Sequence, residues 1–167
     1  MVLVIAGAAL ARAGWLDVPF VRQEREGCGS AAASMIMRYW IGQGARVAED
    51  AAEAAIIQQA LHSPSAKGIY GSELREYLEQ HGFSVYIIDA EFEDLVHHVG
   101  RGRPLMVCLQ FQRGGPLHYV VVVGADSQRD EVVVHDPARG ALKRHTGTSF
   151  RKAWTPKRNW TLLAVPK

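Results

Sequence analysis

Two periodicities divide the chain. In its first half apolar residues recur at helical spacing: Ala31, Ala32, Met35, Ile36, Tyr39 and Trp40 form one buried stripe, ended by Gly42 and Gly44, which predicts a helix opening at Cys28. The alanine-rich stretch Glu49 to Leu61 predicts a second helix, and His62 to Gly71, with Pro64, Gly68 and two serines, predicts a loop. Ser72 stands where an N-cap would open a third helix running to about His81, with Gly82 as its terminating glycine. Before all of these, Gly14 to Gly27 reads as an extended lead-in, since Pro19 bars a regular helix.

The second half follows a different pattern. Phe83 to Ile88, Leu105 to Phe111, Leu117 to Val123, Glu131 to His135 and Trp160 to Val165 are rich in β-branched and aromatic residues and predict strands. Glu91 to Val99 and Thr148 to Trp154 predict two further helices among them. Short connections such as Gly114-Gly115-Pro116 and Ser127 to Asp130 favour antiparallel pairing. Helices first and sheet afterwards give an α+β fold, with N-terminal helices packed on a C-terminal antiparallel sheet.

At 167 residues, 48% hydrophobic, the chain is sized for one domain, assigned here to residues 14–167. Residues 1–13 read separately: an apolar run, Val2 to Leu10, closes on Ala11-Arg12-Ala13 like a signal-peptidase site, without the basic segment that normally leads it. A shortened signal segment is the expectation, and with it export to a periplasmic or extracellular space. The competing reading is a packed N-terminal strand or short helix in a cytoplasmic protein. The run is too short to span a bilayer, so no transmembrane domain is expected in this chain.

Charge removes some function classes. A net +2, from 19 basic and 17 acidic residues, gives no electrostatic basis for a nucleic acid or an anionic membrane as partner. Cys28 and Cys108 are the only cysteines, too few for a disulfide framework or a four-thiolate zinc site. Cysteine chemistry must therefore be local.

Three segments carry candidate chemistry. In Gly27-Cys28-Gly29 a cysteine opens a helix, where the dipole and free N–H groups favour a thiolate. The flanking glycines leave room for a substrate carbonyl, the Cys28 N–H is set to receive its oxyanion, and Gln23 offers a second donor. In Leu117-His118-Tyr119 a histidine opens an otherwise apolar strand, and in His135-Asp136-Pro137 a carboxylate ends the next one. Pairing across the 127–130 turn brings His118 and Asp136 to one end of the sheet, and strand alternation turns His135 away from them. The set suits a thiol nucleophile, an imidazole general base and acid, and a carboxylate that fixes the imidazole's tautomer.

These segments resemble the double-glycine, bacteriocin-processing peptidases of cysteine peptidase family 39, in their stand-alone form. The resemblance rests on Asp17-Val-Pro-Phe-Val-x-Gln23, on Cys28-Gly29-Ser30-Ala31-Ala32, and on His118-Tyr119-Val-Val-Val-Val-Gly124 with His135-Asp136-Pro137, in family order. Lys67-Gly68-Ile69-Tyr70-Gly71, before a helix ending in His81-Gly82-Phe83, is similar to the family's central segment. The resemblance implies a papain-like fold and cleavage of a peptide or protein substrate through a thioester acyl-enzyme. It implies Cys28 as nucleophile, His118 as base, Asp136 as orienter and Gln23 with Cys28 as the oxyanion hole. No cofactor and no metal belong to that chemistry.

Two other functions use the same residues: an amide transferase or transpeptidase that hands the acyl group to an amine, and a peptide-binding module with a vestigial site. Cys108, mid-strand between Val107 and Leu109, reads as a small buried hydrophobe, and a Cys28–Cys108 disulfide is the alternative for an exported chain. His97-His98 reads as a solvated helix face, because neighbouring helical residues point about 100° apart.

Overall fold

The computed structural model describes residues 14–167. The segment read as a signal, residues 1–13, lies outside them. Among the described residues five α-helices and six strands follow in chain order: α1 Cys28–Gly42, α2 Ala54–Leu61, α3 Gly71–Gln80, β1 Phe83–Asp89, α4 Phe92–Gly100, β2 Leu105–Leu109, β3 His118–Asp126, β4 Glu131–Asp136, β5 Gly140–Thr146, α5 Gly147–Trp154 and β6 Trp160–Pro166. All strand pairs are antiparallel, in the order β1-β6-β2-β3-β4-β5. The C-terminal strand is thus inserted between β1 and β2.

The sheet is buried on both faces, which explains the unbroken valines of β3. Val121 and Val123 pack with Met35, Ile36 and Leu74 under α1 to α3, while Val120 and Val122 pack with Leu95, Phe150 and Trp154 of α4 and α5. A strand with two apolar faces has no polar alternation to show. The expected arrangement of N-terminal helices on a C-terminal sheet therefore holds, with α4 and α5 adding a layer on the opposite face.

Some expected boundaries change. The single helix over Glu49 to Leu61 is a 3-10 turn, Asp50–Ala52, followed by α2, because Glu53 is extended at ψ 123°. Glu53 uses that break to meet Arg38 of α1 at 2.7 Å. Ser72 is not a cap: α3 starts one residue earlier, with Tyr70 at the N-cap and no side-chain cap, so Ser72 already sits within the first turn. β2 stops at Leu109 and not at Phe111. β5 has no counterpart in the sequence reading; only Gly140 among its seven residues is buried, so it carries no apolar signal.

The lead-in is tied to the sheet's end by backbone and side chains. Leu16 N–H donates to Val123 O at 2.7 Å, and Gln23 N–H donates to Pro137 O at 3.0 Å. Between them, His135 donates through Nε2 to Val18 O at 2.8 Å and accepts the Leu142 N–H at Nδ1 at 3.1 Å. With both ring nitrogens occupied and the ring buried, burial holds the His135 pKa below the ordinary histidine value, so the bolt is neutral.

Candidate active site

Cys28 is the first residue of α1. Gly27, at its N-cap, offers no side-chain hydrogen bond, and the first turn has no acidic residue, so no side chain blocks the dipole end of this helix. The expected reason for the flanking glycines is corrected by what surrounds them. A Cβ on Gly27 would meet Glu24 O at 3.1 Å, and one on Gly29 would meet Ile69 Cβ at 3.3 Å and the Tyr119 ring at 3.4 Å. These glycines let the protein's own segments close around Cys28.

His118 opens β3 and Asp136 closes β4. The register that sets Val121 opposite His135 puts Asp136 on the face His118 shares, and His118 Nε2 lies 2.7 Å from Asp136 Oδ1. His135, one residue earlier, points to the lead-in, as alternation predicts. Asp136 is 1% exposed, yet its charge is satisfied: Oδ1 also accepts the N–H groups of Ala138 at 2.9 Å and Arg139 at 3.2 Å. Arg139 Nε stands 3.8 Å from Oδ2. Burial by itself would raise this carboxyl's pKa, but the hydrogen bonds from His118, Ala138 and Arg139 hold it below the ordinary value.

Burial would likewise lower the pKa of His118. The hydrogen bond to Asp136 and the interaction with Cys28 outweigh it and push the imidazole up to about 9. Since Nε2 serves Asp136, the nitrogen left for Cys28 is Nδ1. At neutral pH this is an imidazolium held between a carboxylate and a sulfur.

Gln23 lies on the lead-in five residues before Cys28, outside the set of residues that line the cleft described next. Its Oε1 is buried with no hydrogen-bond partner among the described residues. Its backbone is fixed by the N–H bond to Pro137 O.

A cleft of about 630 Å³ opens at Cys28, lined by the 65–72 segment and by Leu117, Tyr119, Lys157 and Trp160. The Tyr119 and Trp160 rings meet at 5.4 Å, and Trp160 presses on Gly71 so closely that a Cβ there would fall 2.7 Å from its ring. Cys108 also lines the cleft. It is buried as expected, burial pushes its thiol pKa up to about 11, and both cysteines are free, so the alternative disulfide is not formed.

Sequence reasoning missed Trp160 and Lys157 as cleft residues. Trp160 read as one more strand residue, and the only available signal was its aromatic size at a strand's first position. Among the described residues no cluster of three or more His, Cys, Asp or Glu side chains is placed to hold a metal ion, and no helix is long and apolar enough to cross a membrane.

Helices on a six-stranded antiparallel sheet, with a cysteine heading the first helix and a His-Asp pair at the facing strand ends, define a papain-like fold. The chain belongs to the Peptidase_C39 like family, whose model matches residues 15–161. Its fold is similar to that of the peptidase domain of Streptococcus ComA, a bifunctional ABC transporter involved in quorum sensing (TM-score 0.68, 19% identity, 93% of this chain and 100% of that one). It is similar also to a double glycine motif protease from an AMS/PCAT transporter, solved with its leader peptide (TM-score 0.67, 19% identity, 93% and 96%). A Bacillus anthracis protein described as a C39-like peptidase gives a TM-score of 0.68 at 16% identity over 90% and 96% of the two chains. No curated protein matches.

Proposed function

We propose that this chain is a thiol peptidase that opens a peptide bond through an acyl-enzyme on Cys28. The observation that carries the reading is the grouping at the uncapped start of α1: Cys28 heads the helix within the electrostatic reach of His118, whose Nε2 is 2.7 Å from a buried carboxylate. The Cys28 thiolate attacks the scissile carbonyl carbon, and the oxyanion receives the Cys28 N–H and the Gln23 side-chain amide. His118, protonated because its pKa is about 9, gives its proton to the leaving amine. It then takes a proton from water as that water attacks the thioester, which frees the acid product and Cys28. Asp136 holds the ring and balances its charge throughout.

The substrate class we infer is a peptide or protein cut after small or glycine residues, the class to which the double glycine motif protease among its structural relatives points. The test is a peptide library profiled with wild type and Cys28→Ala. Cleavage by wild type alone, with iodoacetamide modifying Cys28 and sparing Cys108, is the expected result. Equal cleavage by Cys28→Ala would remove the assignment. Retention of peptides without turnover or thiol reactivity would make the chain a binding module.

A further inference from the structure

The cleft beside Cys28 has a one-sided charge. Among the described residues Lys67 and Lys157 are the only charged ones that line it, against an apolar wall of Ile69, Leu117, Tyr119 and Trp160. Lys157 ends a 3-10 turn, Thr155–Lys157, and is half-buried. It lines the cleft together with Cys108 and Trp160. Lys67, which is exposed, belongs to the 65–72 part of the lining and has a left-handed backbone conformation, φ 48°, within a loop closed by the Ser63 N–H to Gly68 O bond of 2.8 Å.

Neither ammonium has a carboxylate partner among the described residues, whereas Arg158, the immediate neighbour of Lys157, is paired with Asp89. Glu73, the acidic residue nearest the 65–72 segment in sequence, does not line the cleft. Lys157 is half-buried and Lys67 exposed, so both ammonium groups are uncommitted to a carboxylate of the described residues and open to an anionic ligand in the cleft.

We propose that Lys67 and Lys157 form a carboxylate-binding subsite of this cleft, so that the peptide it accepts carries an acidic group beside the apolar residue that packs on Tyr119 and Trp160. The carboxylate comes from an Asp or Glu side chain or from the peptide's own C-terminus. An extended peptide sends successive side chains to opposite sides, which lets one residue meet the aromatic wall while a near neighbour meets a lysine on the rim. The reading of this cleft as a substrate site rests on Cys28 being the nucleophile.

The two can fail separately. The full chain carrying Cys28→Ala is immobilised and offered a decapeptide library made once as C-terminal acids and once as C-terminal amides, and the retained peptides are sequenced. We expect acidic residues at one position, or acids over amides, enriched by about tenfold, the effect of roughly 1.4 kcal/mol of charge pairing. The Lys67→Gln/Lys157→Gln pair should abolish that enrichment, Lys67→Glu/Lys157→Glu should turn it toward Lys and Arg, and Lys152→Gln, away from the cleft, should leave it alone. With Cys28 intact, the ratio of iodoacetate to iodoacetamide modification at Cys28 should fall severalfold when the same Gln pair is introduced. No carboxylate preference, or one that survives both lysine replacements, overturns the subsite. Absence of cleavage by wild type would instead overturn the peptidase reading.

Discussion

Asp136 Oδ1 lies 2.7 Å from Nε2 of His118, and the same oxygen accepts the N–H groups of Ala138 and Arg139, so the turn that ends β4 also builds the seat of the imidazole. Replacing Asp136 with Asn removes the charge but keeps much of that seat. We expect kcat/KM to fall by about 10²- to 10⁴-fold, from loss of tautomer and imidazolium stabilisation. The NMR titration of His118 should move down from about 9 toward its ordinary value, and an unmoved titration would disconnect the two residues.

The same pair makes stability depend on pH from two sides. The folded pKa of His118 is raised from 6.5 to about 9, so its contribution is complete below 6.5 and is lost as pH rises through about 9. That of Asp136 is lowered, so its contribution is present above the ordinary 3.8 and is lost as pH falls through its lower folded value. The difference in Tm between wild type and His118→Phe, measured from pH 3 to 10, should therefore be largest between those limits and shrink at both ends. A difference that stays flat through pH 9 would contradict the coupling.

Gln23 provides a cleaner separation of binding the oxyanion from making the thiolate. Gln23→Ala should cost about 10²- to 10³-fold in kcat, the usual effect of removing one oxyanion donor. Alkylation of Cys28 should keep its wild-type rate and pH profile, because Gln23 has no bond to His118 or Asp136. If alkylation slows in step with kcat, Gln23 acts on the thiol and not on the oxyanion.

Gly71 is a steric prediction. A methyl group there would lie 2.7 Å from the Trp160 ring, so Gly71→Ala must displace Trp160 from the cleft wall or move α3. We expect a loss of about 1 to 3 kcal/mol, typical of overpacking. Trp160→Phe in the same chain should recover most of it, since the smaller ring vacates the contested space. Chemical denaturation of the three variants checks both numbers.

The chemistry was more legible in this sequence than the walls around it. His118 and Asp136 could be paired from alternation and one short turn, because strand geometry dictates which face each residue takes, and His135 was excluded by the same rule. The helix headed by Cys28 was readable from its apolar period. Trp160, Lys157 and Lys67 share a cleft only through tertiary packing of β6, a 3-10 turn and a loop, which no local pattern encodes. The glycines beside Cys28 were readable as required but not for the right reason: Gly27 is crowded by the Glu24 backbone, and Gly29 by Ile69 and Tyr119, which come from distant parts of the chain.

β5 was missed because its pattern is polar, and that polarity has a consequence of its own. Among the described residues β5 is one border of the sheet, where a row of backbone donors and acceptors would invite a strand from another molecule. Lys143 and Arg144 project from it, Leu142 is twisted to φ 50°, and the register with β4 slips between Val134 and Asp136. Charge, twist and bulge all disfavour edge-to-edge association. Replacing Lys143 and Arg144 with threonine and valine would turn this border into a better strand by sequence and into a site for self-association.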